Sequence, residues 1–321
     1  MFSIGGYFSL ELSNAHKKEY HNFATKLNSG RYCLEYILRA KKYKKVYLPY
    51  YVCDAVLQPI LKLKLQYEFY HIDAQFHIAE EIKPEIDGVV LYCNYFGLMN
   101  DYVKEVANLY SPNVIIDNTQ AFFAHPLAGI DTFYTCRKFF GVADGAYLYT
   151  DTKIEEPLLQ DYSSERMIYL LNRIDKSAEE AFSEYHINEK KFEDNEIKQM
   201  SEITRRIMQS VDYADVANRR IANYHLLDKA LSQSNVLQIN LGSDEVPMVF
   251  PYLCRDNRLR KKLIQNKVYV ATFWPNVEEW AGNKSIEHQL ACNLLPLPID
   301  QRYGEKEMNI ILNLIYDTNE R

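Results

Sequence analysis

The 321-residue sequence lacks most of the short signatures that announce a chemistry on their own. It has no G-x-G-x-x-G, no Walker loop and no G-x-S-x-G, so dinucleotide-fingerprint, P-loop and nucleophile-elbow readings have no anchor. The six cysteines, Cys33, Cys53, Cys93, Cys136, Cys254 and Cys292, form no C-x-x-C pair and no zinc spacing. They read as free, mostly buried thiols of a reducing cytosol, and Cys136 lies two residues from Lys138. The eight histidines are dispersed, and His71 and His77 read as structural. No apolar run approaches the ~20 residues of a membrane span. The opening MFSIGGYFSLEL has no basic stretch followed by an apolar core, so no signal peptide and a cytoplasmic location are expected. A formal net charge of −6 speaks against a nucleic-acid partner, because phosphate contact needs a basic surface. Glycine is scarce at 11 residues beside 26 tyrosines, a compositional bias that carries no functional reading. What is present is 47% hydrophobic content, enough for a large core in one or two domains.

The informative stretch runs from Val114 to Thr150. Val114–Ile116 is a β-branched apolar run that suits a buried parallel strand, and it ends in Asp117 with Gln120 three residues on. A second strand-like run, Thr132–Tyr134, leads to Lys138. In open α/β sheets, ligands bind beyond the carboxyl ends of the strands, so these three side chains are expected at one crevice. An aspartate, a glutamine and a lysine together fit pyridoxal phosphate (PLP). The lysine forms a Schiff base, the aspartate keeps the pyridine nitrogen protonated, and the glutamine bonds the ring hydroxyl. Upstream, Asn28 or Ser29 reads as the N-cap of a helix, whose free N–H groups suit a phosphate.

The order Asp-x-x-Gln, strand, lysine resembles the active-site segment of the fold-type I PLP aminotransferases. The similarity is greatest to the DegT/StrS sugar aminotransferases. The resemblance implies that Asp117 and Lys138 are catalytic. It also implies that Ser29, Gly30, Arg31, Tyr51, Asp117, Gln120, Thr135 and Lys138 hold the cofactor. In that family a hydroxyl three residues before the lysine binds phosphate, the place of Thr135, and an aromatic ring packs on the pyridine, the place of Tyr51. The residue pattern alone leaves open that Tyr51 or its neighbour Tyr50 simply packs under a loop. Asn94 stands where the family has a histidine, and Asn195–Ser201 keeps only a loose echo of its cross-subunit phosphate segment.

Strands alternating with helices over 45–136 argue a mostly parallel α/β sheet covered on both faces. Strands are expected at Lys45–Pro49, Tyr67–Ile72 and Gly88–Tyr95, and a short helix at Asp101–Tyr110. Residues 153–195 read as charged and irregular. Glu196–Leu231 carries one long helical periodicity. Beyond it, Val236–Ile239, Pro247–Phe250 and Val268–Phe273 read as strands, Leu294–Leu297 as extended, and Asp256–Gln265, Ile286–Cys292 and Lys306–Tyr316 as helices. The resemblance divides this into a PLP-binding large domain over 1–200, with a mostly parallel sheet. Residues 201–321 then hold a connecting helix and a small α+β C-terminal domain. It further implies a homodimer, an amino donor, and a keto-sugar acceptor, nucleotide-linked and in a polysaccharide-building setting. Another PLP reaction on a small keto or amino acid, or a non-catalytic regulatory role, stays open.

Overall fold

The computed structural model describes residues 6–13, 18–193, 195–254, 256 and 258–319. The elements run β1 (Thr25–Leu27), α1 (Gly30–Lys41), β2 (Lys45–Pro49), α2 (Leu57–Lys62), β3 (Gln66–Tyr70), β4 (Gly88–Cys93), α3 (Asn100–Tyr110), β5 (Val114–Asp117), β6 (Asp131–Thr135) and β7 (Ala146–Tyr149). Then come α4 (Ile168–Asp175), α5 (Phe182–Lys190), α6 (Glu202–Ser210), α7 (Tyr213–Leu231), β8 (Val249–Leu253), α8 (Arg258–Gln265), α9 (Pro275–Trp280), α10 (Ile286–Asn293), β9 (Leu294–Pro298) and α11 (Glu305–Asn319).

A seven-stranded sheet, ordered β1-β7-β6-β5-β4-β2-β3, forms the centre. Strands β2 to β6 are parallel, and β7 and β1 close one side in antiparallel pairs. Strands β4 (GVVLYC) and β5 (VIID) are buried along their whole length, which is why they read as unbroken apolar runs. The chain goes from β2 out to the edge strand β3 and then back across to β4. That reversal opens a crevice at the carboxyl ends of β2 and β4, the general ligand position in such sheets. A second, antiparallel pair, β8 with β9, packs against α7 and α10, and α11 packs on α7 and α8.

Several expectations need correction. The periodicity over 196–231 is two helices, because the Asp212 carboxylate accepts from the Asp215 N–H at 3.0 Å and caps a new helix there. Residues 153–195 contain α4 and α5. Residues 236–239 form no strand. Residues 268–273 form none either. There the Arg260 guanidinium donates to the Val270 and Ala271 carbonyls, at 3.4 and 2.6 Å, in place of a neighbouring strand. Strand β1, three residues long, carries no readable pattern of its own and exists by pairing with β7.

Tyrosines pin the loops. The hydroxyls of Tyr32, Tyr70, Tyr92, Tyr95 and Tyr169 each donate to a distant backbone carbonyl, on Phe192, Leu91, Phe76, Tyr51 and Val142. Buried carbonyls need such partners where no ladder supplies them.

Candidate active site

The carboxyl end of β5 places Asp117 in the crevice, buried, with two hydrogen-bond partners among the described residues. Its Oδ1 accepts from the Thr119 N–H at 2.8 Å, and its Oδ2 faces the Cys93 thiol at 3.8 Å. Burial raises its pKa above the ordinary carboxylate value, and the Lys138 ammonium pulls it partly back. Lys138 comes from the turn after β6. Its side chain is exposed to the crevice, and its Nζ donates to Thr119 Oγ1 at 3.1 Å. Thr119 therefore touches both groups, through its backbone to Asp117 and through its hydroxyl to Lys138. Sequence reading passed over it as one of the two unspecified residues in Asp-x-x-Gln.

Gln120 is buried one residue further on. Its Oε1 accepts from the Phe96 N–H at 2.8 Å, whereas its Nε2 is buried with no hydrogen-bond partner among the described residues. Gly30 opens α1 directly beside Thr119: a Cβ at this position would lie 3.1 Å from Thr119 Cγ2. Ser29, the N-cap, is extended at φ −159° and its hydroxyl caps nothing in the helix, so the first N–H groups of α1 have no side-chain partner there.

Three further residues expected at the cofactor have protein partners in this structure. The Arg31 guanidinium turns to Gln58 and to the Phe192 carbonyl. The Thr135 hydroxyl donates to the Gly145 carbonyl at 3.3 Å and accepts from the Arg137 N–H at 3.4 Å, which braces the turn that carries Lys138. Tyr51 has no exposed surface at all; its ring sits among Phe76, Tyr95 and Trp274, with centroids 6.0, 5.7 and 5.1 Å away. Tyr50 stacks on Phe69. The residue of this segment that senses Lys138 is Cys53: burial raises its thiol pKa and the Lys138 charge lowers it. Cys93, at the end of β4, is likewise pushed up by burial and by Asp117, and drawn down by Lys138. Both thiols were visible in the sequence only as scattered cysteines. A separate cavity of about 370 Å³, lined by Asp161, Tyr162, Ser164, Glu165, Arg166, Lys191 and Asn195, contains none of these groups.

No protein-family model and no curated protein matches the chain. Solved structures do. DesV from S. venezuelae, in complex with a ketimine intermediate, superposes with a TM-score of 0.62 at 16% identity, covering 93% of this chain and 85% of that one. NtdA from Bacillus subtilis with bound PMP gives 0.65 at 15% identity, covering 93% and 73%. A DegT DnrJ EryC1 StrS aminotransferase from Brucella abortus gives 0.61 at 11% identity, covering 93% and 86%. The chain has the fold-type I architecture, a large, mostly parallel seven-stranded sheet, that it shares with these structures.

Proposed function

We propose that the chain is a PLP-dependent aminotransferase in which Lys138 bonds the cofactor and a keto sugar accepts the amine. The observation that carries this is the single cluster Lys138–Thr119–Asp117 at the carboxyl ends of adjacent parallel strands. Two further features fit a flat phosphorylated pyridine. The orphaned Gln120 Nε2 is a buried donor awaiting an acceptor, the role a ring hydroxyl fills. The close approach of Gly30 to Thr119 leaves backbone and no side chain at the head of α1, where Ser29 and Gly30 would hold a phosphate.

PLP, when bound, supplies an electron sink for a carbanion next to the transferred nitrogen. Asp117 keeps a proton on the pyridine nitrogen, because a carboxylate nearby favours the cationic form. Lys138 would hold the cofactor covalently, and its free amine would take and return a proton as base and acid. Thr119 fixes the position of its amine.

The sugar acceptor is supported by where the arginines go. An α-keto acid site grips the substrate carboxylate with a bidentate arginine. Among the described residues from 219 to 302, each arginine is engaged elsewhere. Arg219 and Arg258 pair with Asp215 and Asp256, and Arg220 and Arg260 bond backbone carbonyls. Arg302 is taken up by its own neighbour Asp300, with contacts of 2.7 and 2.9 Å. Arg255 and Arg321 lie outside the described residues. The half-buried Trp274 meets the Tyr51 ring edge-on, with centroids 5.1 Å apart, and offers a flat surface instead. A homodimer is supported by the exposed aromatic arm at Tyr7 and Phe8, at 99% and 91% exposure; Gly5 of the same segment lies outside the described residues.

Borohydride reduction after PLP treatment should fix one cofactor on the peptide that contains Lys138. A label on another lysine, or none, overturns the proposal. Incubating the loaded protein with glutamate and a panel of nucleotide keto sugars then identifies the acceptor.

A further inference from the structure

Resting on that reading, we infer that Gln301 and Arg220, both from the C-terminal half, are positioning residues that set Lys138 and Gln120 through one buried hydrogen-bonded bracket. Arg220 is on α7 and 1% exposed, a costly place for a guanidinium unless its donors are used. They are used in two directions. Toward Lys138, its Nε donates to Gln301 Oε1 at 3.0 Å, and Gln301 Nε2 donates to the carbonyl of Phe139 at 2.7 Å. Phe139 is the residue after Lys138, and its ring lies under the Arg220 guanidinium at 4.6 Å. Toward Gln120, the Arg220 Nη1 donates to the Met248 carbonyl at 2.9 Å. Met248 in turn donates its N–H to the Phe96 carbonyl at 2.8 Å, and Phe96 donates its own N–H to Gln120 Oε1 at 2.8 Å.

The bracket thus ends on the lysine that bonds the cofactor and on the amide whose other end is free for it. The Phe139 carbonyl and the Gln120 side chain are thus both held by groups remote in sequence, and one buried cation joins the two sets of bonds. The Phe139 carbonyl is otherwise in a turn whose bonds run inward from Phe139 and Phe140 N–H to the Cys136 carbonyl. Gln301 alone fixes its outer side among the described residues. The position of a nucleophile relative to its target governs the rate of bond formation far more than it governs the affinity of a ligand held by other groups.

The test separates those two quantities. PLP is captured on Lys138 in the presence of cyanoborohydride and the rate is followed. PMP, which has no aldehyde and forms no bond to lysine, is titrated in parallel. In Gln301→Ala and the near-isosteric Gln301→Met, PLP capture should slow by about tenfold or more, with PMP affinity changed less than twofold and far-UV dichroism unchanged. Capture at the wild-type rate in both variants overturns the bracket. So does a parallel loss of PMP affinity, which marks general disruption of the site. If the wild-type protein fails to capture PLP on Lys138, the functional reading itself falls, and the bracket with it.

Discussion

Asp117 is the residue whose substitution should move two measurements in opposite directions. Its carboxylate is buried, with one good hydrogen bond from the Thr119 N–H and a long contact to a thiol. The fold therefore holds the Asp117 proton more tightly than the unfolded chain does. The native state binds more protons across the interval between the two pKa values, so stability falls as pH rises through it and stays reduced above both. In Asp117→Asn the amide oxygen still accepts from Thr119, the amide nitrogen can donate toward Cys93, and no charge is buried. Removing an incompletely paired buried charge is worth about 1–3 kcal/mol. In a chain of this length that raises the melting temperature by roughly 2 °C per kcal/mol. The ligand-free variant should melt a few degrees higher than the wild type at pH 7, by differential scanning fluorimetry. The difference should shrink as pH falls into the ordinary carboxylate range. With PLP present the order should reverse, because wild type gains more from a ligand bound to the native state. Turnover should fall on the order of 10²-fold or more, the scale of losing one preorganised electrostatic partner. An Asn variant that melts lower than wild type when empty at pH 7 would refute the burial argument. Full activity would place the aspartate outside the chemistry.

Trp274→Ala should sharply weaken use of a sugar acceptor, while Arg302→Ala costs little, since that arginine is already paired with Asp300; steady-state kinetics on both variants checks this. If Arg302→Ala instead abolishes the acceptor half-reaction and simple α-keto acids serve best, the sugar assignment is wrong. Gly145→Ala should destabilise the fold by about 1–3 kcal/mol in urea unfolding. Its φ is +114° and an added Cβ would lie 2.8 Å from Thr204 Cγ2, so an alanine without effect would mean that the turn relaxes freely. Sedimentation at micromolar concentration should give a dimer, and truncation of residues 1–13 should weaken it; a fully active monomer would contradict that.

The sheet was legible because its central strands are unmixed apolar runs ending in polar residues. Asp117 stood out because it ends such a run, and Gln120 and Lys138 because of their order and spacing after it. What composition could not supply was the direction of side chains. Tyr50 and Tyr51 precede Cys53 in one short turn, and nothing in their order tells which one meets the crevice. Tyr51 packs against Phe76, Tyr95 and Trp274, and those residues come from three distant segments. The partners of Arg31, Gln58 and the Phe192 carbonyl, are likewise far along the chain and could not be read from its neighbours. The missing strand at 268–273 shows the limit of β-propensity: an arginine, not a neighbouring strand, bonds the Val270 and Ala271 carbonyls.

The tyrosine pins alter what counts as a mild exchange in this chain. Tyrosine to phenylalanine removes one oxygen and keeps the ring, and in most cores it passes unnoticed. At Tyr95 the lost oxygen is what bonds the Tyr51 carbonyl, two residues before Cys53; at Tyr169 it is what bonds the Val142 carbonyl, four residues past Lys138. Each such replacement leaves a main-chain acceptor without its donor beside the crevice. Drift among aromatics in this chain is therefore constrained by backbone groups at other positions, and the tyrosines are tied less to their own neighbours than to loops far away in sequence.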